Sequence, residues 1–190
     1  EEGELGRPES SDALVGDARS EEGLLRAFVA IHERRLELDR RRSGGCLGHE
    51  VAADAYDDVS ARLLVLDGVG SEAELRSLGH RAEAALARLG AAKAYMGAEL
   101  YEEAESRASL AIDAIRGGGA NSMSTGGCGA MMNAGLSLVY SSAVDAHQCR
   151  AEARLLRGAY EAARQDALLA CSMARTSGEL KQLEVGEQRT

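Results

Sequence analysis

Residues 97–112 read GAELYEEAESRASLAI, and residues 157–171 read RGAYEAARQDALLAC. Both stretches place a tyrosine shortly after a glycine, follow it with glutamate and then space alanines at helical intervals. Small residues at such intervals lie on one face of a helix and let a second helix pack closely against it. The sequence therefore predicts that one pair of closely packed helices occurs twice.

The composition is typical of an all-α protein. The chain has 190 residues, 45% of them apolar, with no tryptophan and one phenylalanine, and it is rich in alanine and leucine, two strong helix formers. Its single proline, Pro8, lies near the start, so no later helix is interrupted by proline. This length accommodates one domain or two small ones.

Charge and cysteine usage restrict the function classes. The net charge is −9, which argues against nucleic acid as a partner because phosphate binding requires a basic surface. No apolar run reaches the length of about 18 residues that a membrane-spanning helix needs, so we expect no membrane span. The four cysteines are scattered and form no C-x-x-C pair, which favours a reducing intracellular compartment such as the cytoplasm or an organelle matrix.

Hydrophobic periodicity predicts six helices. Ser20 followed by two glutamates is a favourable helix start, and Ser71 with Glu74 forms a capping box for a third helix. That helix is predicted to continue through Gly79 and Gly90, although each glycine costs about 1 kcal/mol relative to alanine. The predicted helices are about 21–42, 51–66, 71–97, 101–115, 136–157 and 160–175.

These helices give a predicted organisation in two parts. The N-terminal part is a three-helix bundle and the C-terminal part contains the two copies. A glycine-rich stretch between the copies lacks the lysine and hydroxyl pattern of a phosphate-binding loop and is predicted to be a flexible insertion. The predicted segments are a flexible lead-in 1–20, a helical bundle 21–97, a repeat unit 86–175 with the insertion 116–135, and a polar tail 176–190.

The two copies resemble tetratricopeptide repeats, a family of helix–turn–helix units of about 34 residues. Aligning Ala104 with Ala163 sets an offset of 163 − 104 = 59 residues, and it also matches Ala92 with Ala151, Tyr101 with Tyr160 and Ala111 with Ala170. The resemblance covers residues 86–116 and 145–175 and implies divergent tetratricopeptide-like hairpins, with each tyrosine ring filling the corner between neighbouring hairpins. The spacing is longer than in the family, and the closing proline is missing from both copies.

The tetratricopeptide resemblance implies a non-enzymatic scaffold or adaptor, a subunit of a larger assembly. Partners of that family bind the concave surface formed by the first helix of each hairpin. Asp145 and Glu152 at these positions would repel a carboxylate, so we expect a basic or apolar partner helix, or a multi-subunit complex. The predicted partner-binding residues on this surface are Leu89, Lys93, Met96, Glu152 and Leu155.

A second resemblance lies in residues 51–90. The stretch YDDVSARLLVLDGVGSEAELR, residues 56–76, resembles the middle of a BAG domain, a three-helix bundle that binds the ATPase domain of a heat-shock chaperone. The resemblance implies an alternative function as a co-chaperone, with Asp57 and Asp67 facing the chaperone. Gly79 and His80 stand where that family carries basic contact residues.

No catalytic motif is present in the sequence. The histidines at 32, 49, 80 and 147 are scattered and have no nucleophile in a recognisable arrangement, so we predict no enzyme activity and no cofactor. A zinc site supporting a metal-dependent enzyme is the remaining alternative to ordinary loop or buried side chains. Its candidate ligands are Cys46, His49, His147 and Cys149.

Overall fold

The computed structural model describes residues 20–71, 79–116 and 129–187, and it describes side chains in these ranges except 129–140 and 176–187. The described part is all-helical and confirms the predicted all-α class. Its six helices are α1 (Glu21–Ser43), α2 (His49–Asp67), α3 (His80–Gly97), α4 (Tyr101–Arg116), α5 (Gly129–Leu156) and α6 (Tyr160–Glu187).

Helix α1 begins at the predicted residue and ends at Ser43, one residue after the predicted end. The Ser20 hydroxyl accepts a hydrogen bond from the Gly23 backbone amide at 3.1 Å, and Glu21 and Glu22 occupy the first turn, where acids favour the positive end of the helix dipole. At the other end, Gly45 takes a left-handed backbone with φ of 67°. The Cys46 amide then donates to the Arg41 carbonyl, which satisfies an exposed carbonyl of the last turn.

Helices α1, α2 and α3 pack together around one apolar core. The buried side chains come mainly from one face of each helix, and they include Leu24, Ile31, Leu38, Val59, Leu63, Ala84 and Ala87. A buried ion pair between Arg35 and Glu83 joins α1 to α3, and Glu83 also bonds His32 Nδ1 at 2.9 Å. This arrangement is the predicted N-terminal three-helix bundle.

Gly90 lies in the middle of α3 because Tyr56 of α2 occupies the space beside it. A Cβ atom at residue 90 would lie 2.5 Å from Cε1 of the Tyr56 ring, and the ring is completely buried. Helix propensity alone penalises this glycine. Close approach of the two helices explains why the position nevertheless carries no side chain.

The prediction that the third helix continues from Ser71 to about Gly97 with at most a kink is wrong at Gly79. Gly79 has a left-handed backbone with φ of 71°, and α3 begins only at His80. A left-handed residue cannot continue a right-handed helix, and glycine adopts that conformation at little cost. Glu74 of the predicted capping box lies outside the described residues.

The last two helices are longer than predicted. α5 begins at Gly129 instead of about 136, and α6 continues to Glu187 instead of about 175. The residues after Gly129 are mainly alanine, methionine and leucine, whose helix propensity outweighs the scattered glycines. Residues 117–128 of the predicted insertion, and the predicted lead-in 1–19, lie outside the described part.

The two hairpins α3–α4 and α5–α6 repeat one turn. Glu99 and Gly158, which are 59 residues apart, both adopt a left-handed backbone, with φ of 61° and 82°. The backbone amide one position before each tyrosine donates to the carbonyl five residues earlier, from Leu100 to Tyr95 and from Ala159 to Arg154. The repeat visible in the sequence is therefore also a repeat of backbone geometry.

None of the described helices is long and apolar enough to cross a membrane.

Candidate functional site

Helix α5 packs into a groove between α3 and α4, and this contact joins the two hairpins. The buried interface consists of small and aliphatic side chains, so the three helices approach closely. Its members are Leu89, Ala92, Ala108, Ala111, Ile112, Ala146 and Cys149. We call the groove between α3 and α4 that receives α5 the first groove.

Arginines of the second hairpin bind acids of α4 along the edge of the first groove. Arg154 Nε donates to Glu105 at 2.7 Å, and Arg157 Nη2 donates to Glu102 at 2.7 Å. Burial acts to raise the pKa of Glu105, but hydrogen bonds and charges from Arg154 and Arg157 hold it below its usual value. These pairs fix the end of α5 against α4.

Among the acids of the second hairpin whose side chains are described, Asp166 of α6 is the most enclosed, with 1% of its surface exposed. It accepts hydrogen bonds from Arg150 at 2.6 and 2.9 Å, from Arg154 at 2.7 Å, and bonds His147 Nδ1 at 3.0 Å. Burial acts to raise its pKa, yet the bonds from Arg150 and His147 and the charges of Arg150 and Arg154 hold that pKa below its usual value. Asp166 is therefore held ionised and ties α6 to α5.

Beside the first groove, α3 and α5 form a depression of about 240 Å³ that we call the concave patch. Its lining residues are Lys93, Met96, Asp145, Gln148, Cys149 and Glu152. Lys93 Nζ donates to Asp145 at 3.0 Å, so the cation predicted to face a partner is already paired within the chain. Within the described residues, Glu152 contacts the amide of Gln148 at 3.2 Å and has no cation at ion-pair distance.

The predicted partner-binding residues divide between three environments. Lys93, Met96 and Glu152 come together in the concave patch. Leu89 does not reach it, because its side chain is only 4% exposed and packs inside the α3–α4–α5 interface, and the prediction that it contacts a partner is corrected. Leu155 is exposed but lines a neighbouring groove between α5 and α6 instead of the concave patch.

The two tyrosines of the repeat also differ. Tyr101 is half-buried, whereas Tyr160 is 69% exposed. Among the described residues no further hairpin follows α6, so nothing packs over Tyr160 as α5 packs over the first hairpin. The prediction that both rings fill a corner between hairpins is therefore wrong for Tyr160.

The two acids implied by the BAG resemblance have different surroundings. Asp57 accepts three hydrogen bonds from the Arg107 guanidinium, at 2.7 to 3.0 Å, and one from the Tyr95 hydroxyl at 3.0 Å. Its carboxylate thus links α2 to α3 and α4. Asp67 is exposed at the end of α2, 3.4 Å from His80 Nδ1. Binding of a chaperone through these acids stays a prediction, with Asp67 the more accessible of the two.

The four residues proposed as zinc ligands do not converge on one site, because they contact different parts of the chain. His49 packs against Gly97, Cys46 donates to the Gly44 carbonyl at 3.5 Å, and His147 is 1% exposed against Asp166. In the ranges where side chains are described, no group of three or more histidine, cysteine or acidic residues could hold a metal ion. The predicted zinc set is therefore not assembled.

Cys149 lies at the floor of the concave patch but is unsuited to nucleophilic chemistry. It is 4% exposed, and burial raises the pKa of its thiol to about 11, assisted by Glu152. The thiolate is the reactive form, and it is scarce at neutral pH when the pKa is this high. The side chain acts here as a small apolar group in the helix interface.

Sequence reasoning did not anticipate the arginine–acid contacts between the hairpins. Each pair joins residues about fifty positions apart, for example Arg154 and Glu105. A partial signal exists, because Glu102 and Glu105 are three residues apart on α4, and Arg154 at the end of α5 and Arg157 just after it are also three residues apart. Two matching charged stripes on helices already predicted to pack would have suggested the contact.

Comparisons with protein-family models, with curated proteins and with solved structures find no match to this chain.

Proposed function

We propose that this protein is a non-enzymatic interaction scaffold, a subunit of a larger assembly, that binds a basic or apolar segment of a partner protein on the concave patch. The observation that supports the proposal is the gathering of Lys93, Met96 and Glu152 from two hairpins into one depression. Met96 offers an apolar contact and Glu152 an acid with no cationic partner among the described residues.

The charges around the depression favour a basic partner over an acidic one. Lys93 is neutralised by Asp145, so Glu152 sets the charge of this surface toward an incoming segment. The whole chain carries a net charge of −9, which adds a longer-range attraction for basic partners and repels acidic ones.

The buried polar groups support a structural role over a catalytic one. His147 and Asp166 have the hydrogen bond that many catalytic pairs share, but both side chains are enclosed and Asp166 is also held by Arg150 and Arg154. A general base must reach the proton that it removes. A substrate would have no access to this pair without separating α5 from α6.

Affinity purification of the tagged full chain from its native cell, followed by mass spectrometry, tests the proposal. We expect a fixed set of stoichiometric partners, which Met96→Lys removes by placing a cation in the concave patch. Leu110→Lys is the matched control, because Leu110 is exposed on the outer side of α4. The proposal fails if no stoichiometric partner is recovered, or if both variants retain the same partners.

A further inference from the structure

The second hairpin has an open groove on the face that points away from the first hairpin. This groove, which we call the end groove, lies between α5 and α6 and encloses about 540 Å³. Its lining is mainly apolar and includes Ala151, Leu155, Tyr160, Ala163, Ala167 and Ala170. The end groove lies on the opposite side of α5 from the interface with α3 and α4.

The end groove repeats the first groove position by position. Subtracting 59 from Ala151, Ala163, Ala167 and Ala170 gives Ala92, Ala104, Ala108 and Ala111, all of which are completely buried beside α5 in the first hairpin. In the second hairpin, Ala167 is exposed, and the end of the groove beside the turn is lined by the exposed Leu155 and Tyr160. The first groove contains a helix, and among the described residues the end groove contains none.

Two of the charges that hold α5 in the first groove are inverted in the end groove, whereas a third, Glu102, which pairs with Arg157, is matched by Glu161 and keeps its sign. In the first hairpin, Lys93 on α3 pairs with Asp145, and Glu105 on α4 pairs with Arg154. Adding 59 to Lys93 gives Glu152, and adding 59 to Glu105 gives Arg164. Both of these residues line the end groove, one on each wall.

We propose that the end groove binds a helix of a partner protein whose charges are the reverse of those of α5. At the position equivalent to Asp145 of α5, this partner helix carries lysine or arginine. Small residues follow one and four positions later, as Ala146 and Cys149 do, and aspartate or glutamate stands nine positions later, in place of Arg154. The inference rests on the proposed interaction function and uses a neighbouring surface, which shares Gln148 and Glu152 with the concave patch but does not include Met96.

Charge disfavours a second copy of α5 as the occupant, because two like-charged contacts outweigh the one attractive pairing of its Arg157 with Glu161. In a second copy, Asp145 would face Glu152 and Arg154 would face Arg164, two like-charged contacts on one short helix. The inner face of that α5 is also already buried in its own chain through Ala146 and Cys149. A helix with reversed charges satisfies both walls of the end groove at once.

The test uses the full chain and two synthetic peptides with the sequence of residues 141–157, both carrying Cys149→Ala and a hydrocarbon staple at positions 144 and 148. One peptide keeps the native charges, and the other carries Asp145→Lys and Arg154→Glu. Fluorescence anisotropy is expected to show about tenfold or greater tightening for the charge-reversed peptide, because two repulsive contacts become attractive. Ala167→Leu should weaken its binding by a similar factor, whereas Leu156→Ala, outside the groove, should leave it unchanged.

A reciprocal variant makes the result specific. In a chain with Glu152→Lys and Arg164→Glu, the preference should reverse, and the native-charge peptide should bind more tightly. Equal affinities for the two peptides, a preference that the reciprocal variant does not reverse, or no binding of either peptide would overturn the proposal. Self-association of the full chain in sedimentation velocity that Ala167→Leu abolishes would also overturn it, in favour of a second copy.

The same titration distinguishes this inference from the concave-patch proposal. Met96→Lys changes the concave patch and leaves the end groove intact, so it should not alter binding of the charge-reversed peptide. If neither peptide binds, the end-groove inference fails, but the loss of cellular partners in Met96→Lys still tests the concave patch independently.

Discussion

The two hairpins share a turn and a groove, but one groove is filled and the other is open. α3 and α4 enclose α5 between completely buried alanines such as Ala104 and Ala108. α5 and α6 present alanines at the equivalent positions and leave Ala167 exposed. A repeated packing surface therefore becomes a core only where another helix covers it, and the charges on its walls favour one helix over another.

The hairpins also differ in how their second helix is anchored. Arg107 of α4 reaches Asp57 of the N-terminal bundle, whereas the equivalent residue of α6, Asp166, binds Arg150 and Arg154 within its own hairpin. The second helix of the first hairpin is thus held by the N-terminal bundle, whereas the second helix of the second hairpin is held by α5 of the same hairpin. This self-contained anchoring allows α6 to leave its outer face open.

Asp166→Asn should have the largest effect on stability. The change leaves the charges of Arg150 and Arg154 without their buried acid, and removing one member of a buried pair costs about 3–5 kcal/mol. Urea unfolding at pH 7 measures this loss. Asp113→Asn, at an exposed position on α4, is the control and should change the free energy of unfolding by less than about 0.5 kcal/mol.

The cost of Asp166→Asn should fall in acid. The pKa of Asp166 is lower in the folded chain than its unfolded value of about 3.9, so its charge stabilises the fold fully above that value. The contribution is lost as the pH falls through the folded pKa, because both states then bind the proton. Urea unfolding in the acid range below about pH 4 should show a smaller difference between the variant and the native chain than at pH 7. A difference that is independent of pH would show that the carboxylate charge is not what anchors α6.

Gly90→Ala should cost about 1–3 kcal/mol through overpacking, although alanine is the better helix former. Its Cβ would lie 2.5 Å from the Tyr56 ring. Gly68→Ala is the control, because a Cβ there meets only the Val65 carbonyl at an ordinary 3.5 Å. Thermal unfolding of both variants measures the contrast. Stabilisation by Gly90→Ala would mean that α2 and α3 do not approach this closely.

Exchanging the two turn residues should give small effects of opposite sign. Gly158→Glu places a side chain in a left-handed backbone and should cost about 1 kcal/mol, whereas Glu99→Gly relieves that strain and should stabilise the fold by up to about 1 kcal/mol. The double exchange should be close to neutral if the two turns are equivalent. Urea unfolding of the three variants that shows destabilisation by both single changes would break the comparison of the turns.

The sequence predicts the repeat well because its information is local. Alanines at helical spacing, with the tyrosine beside them, place Ala92 against the second copy and reproduce the turn at both sites. Which neighbouring helix covers each face is less predictable from the sequence. Leu89 and Lys93 are four residues apart on α3, yet Leu89 enters the interface and Lys93 lines the concave patch, because periodicity does not specify which neighbouring helix covers which face.

The interruption at Gly79 and the glycine at residue 90 were unpredictable for the same reason. Both are glycines inside an apolar helical pattern, and propensity treats them alike. One adopts a left-handed backbone that starts a new helix, and the other makes room for Tyr56. Only the positions of α2 and α3 relative to each other separate the two roles.

The most direct test of the central claim compares one substitution at equivalent positions of the two grooves. Ala108→Leu should lower the free energy of unfolding by about 1–3 kcal/mol, because it forces a larger side chain into the contact with α5. Ala167→Leu should change it by less than about 0.5 kcal/mol, because the end groove of the isolated chain is open. Urea unfolding of the purified chain gives both values. Equal losses at the two positions would contradict the account, since they would mean that the end groove is already filled.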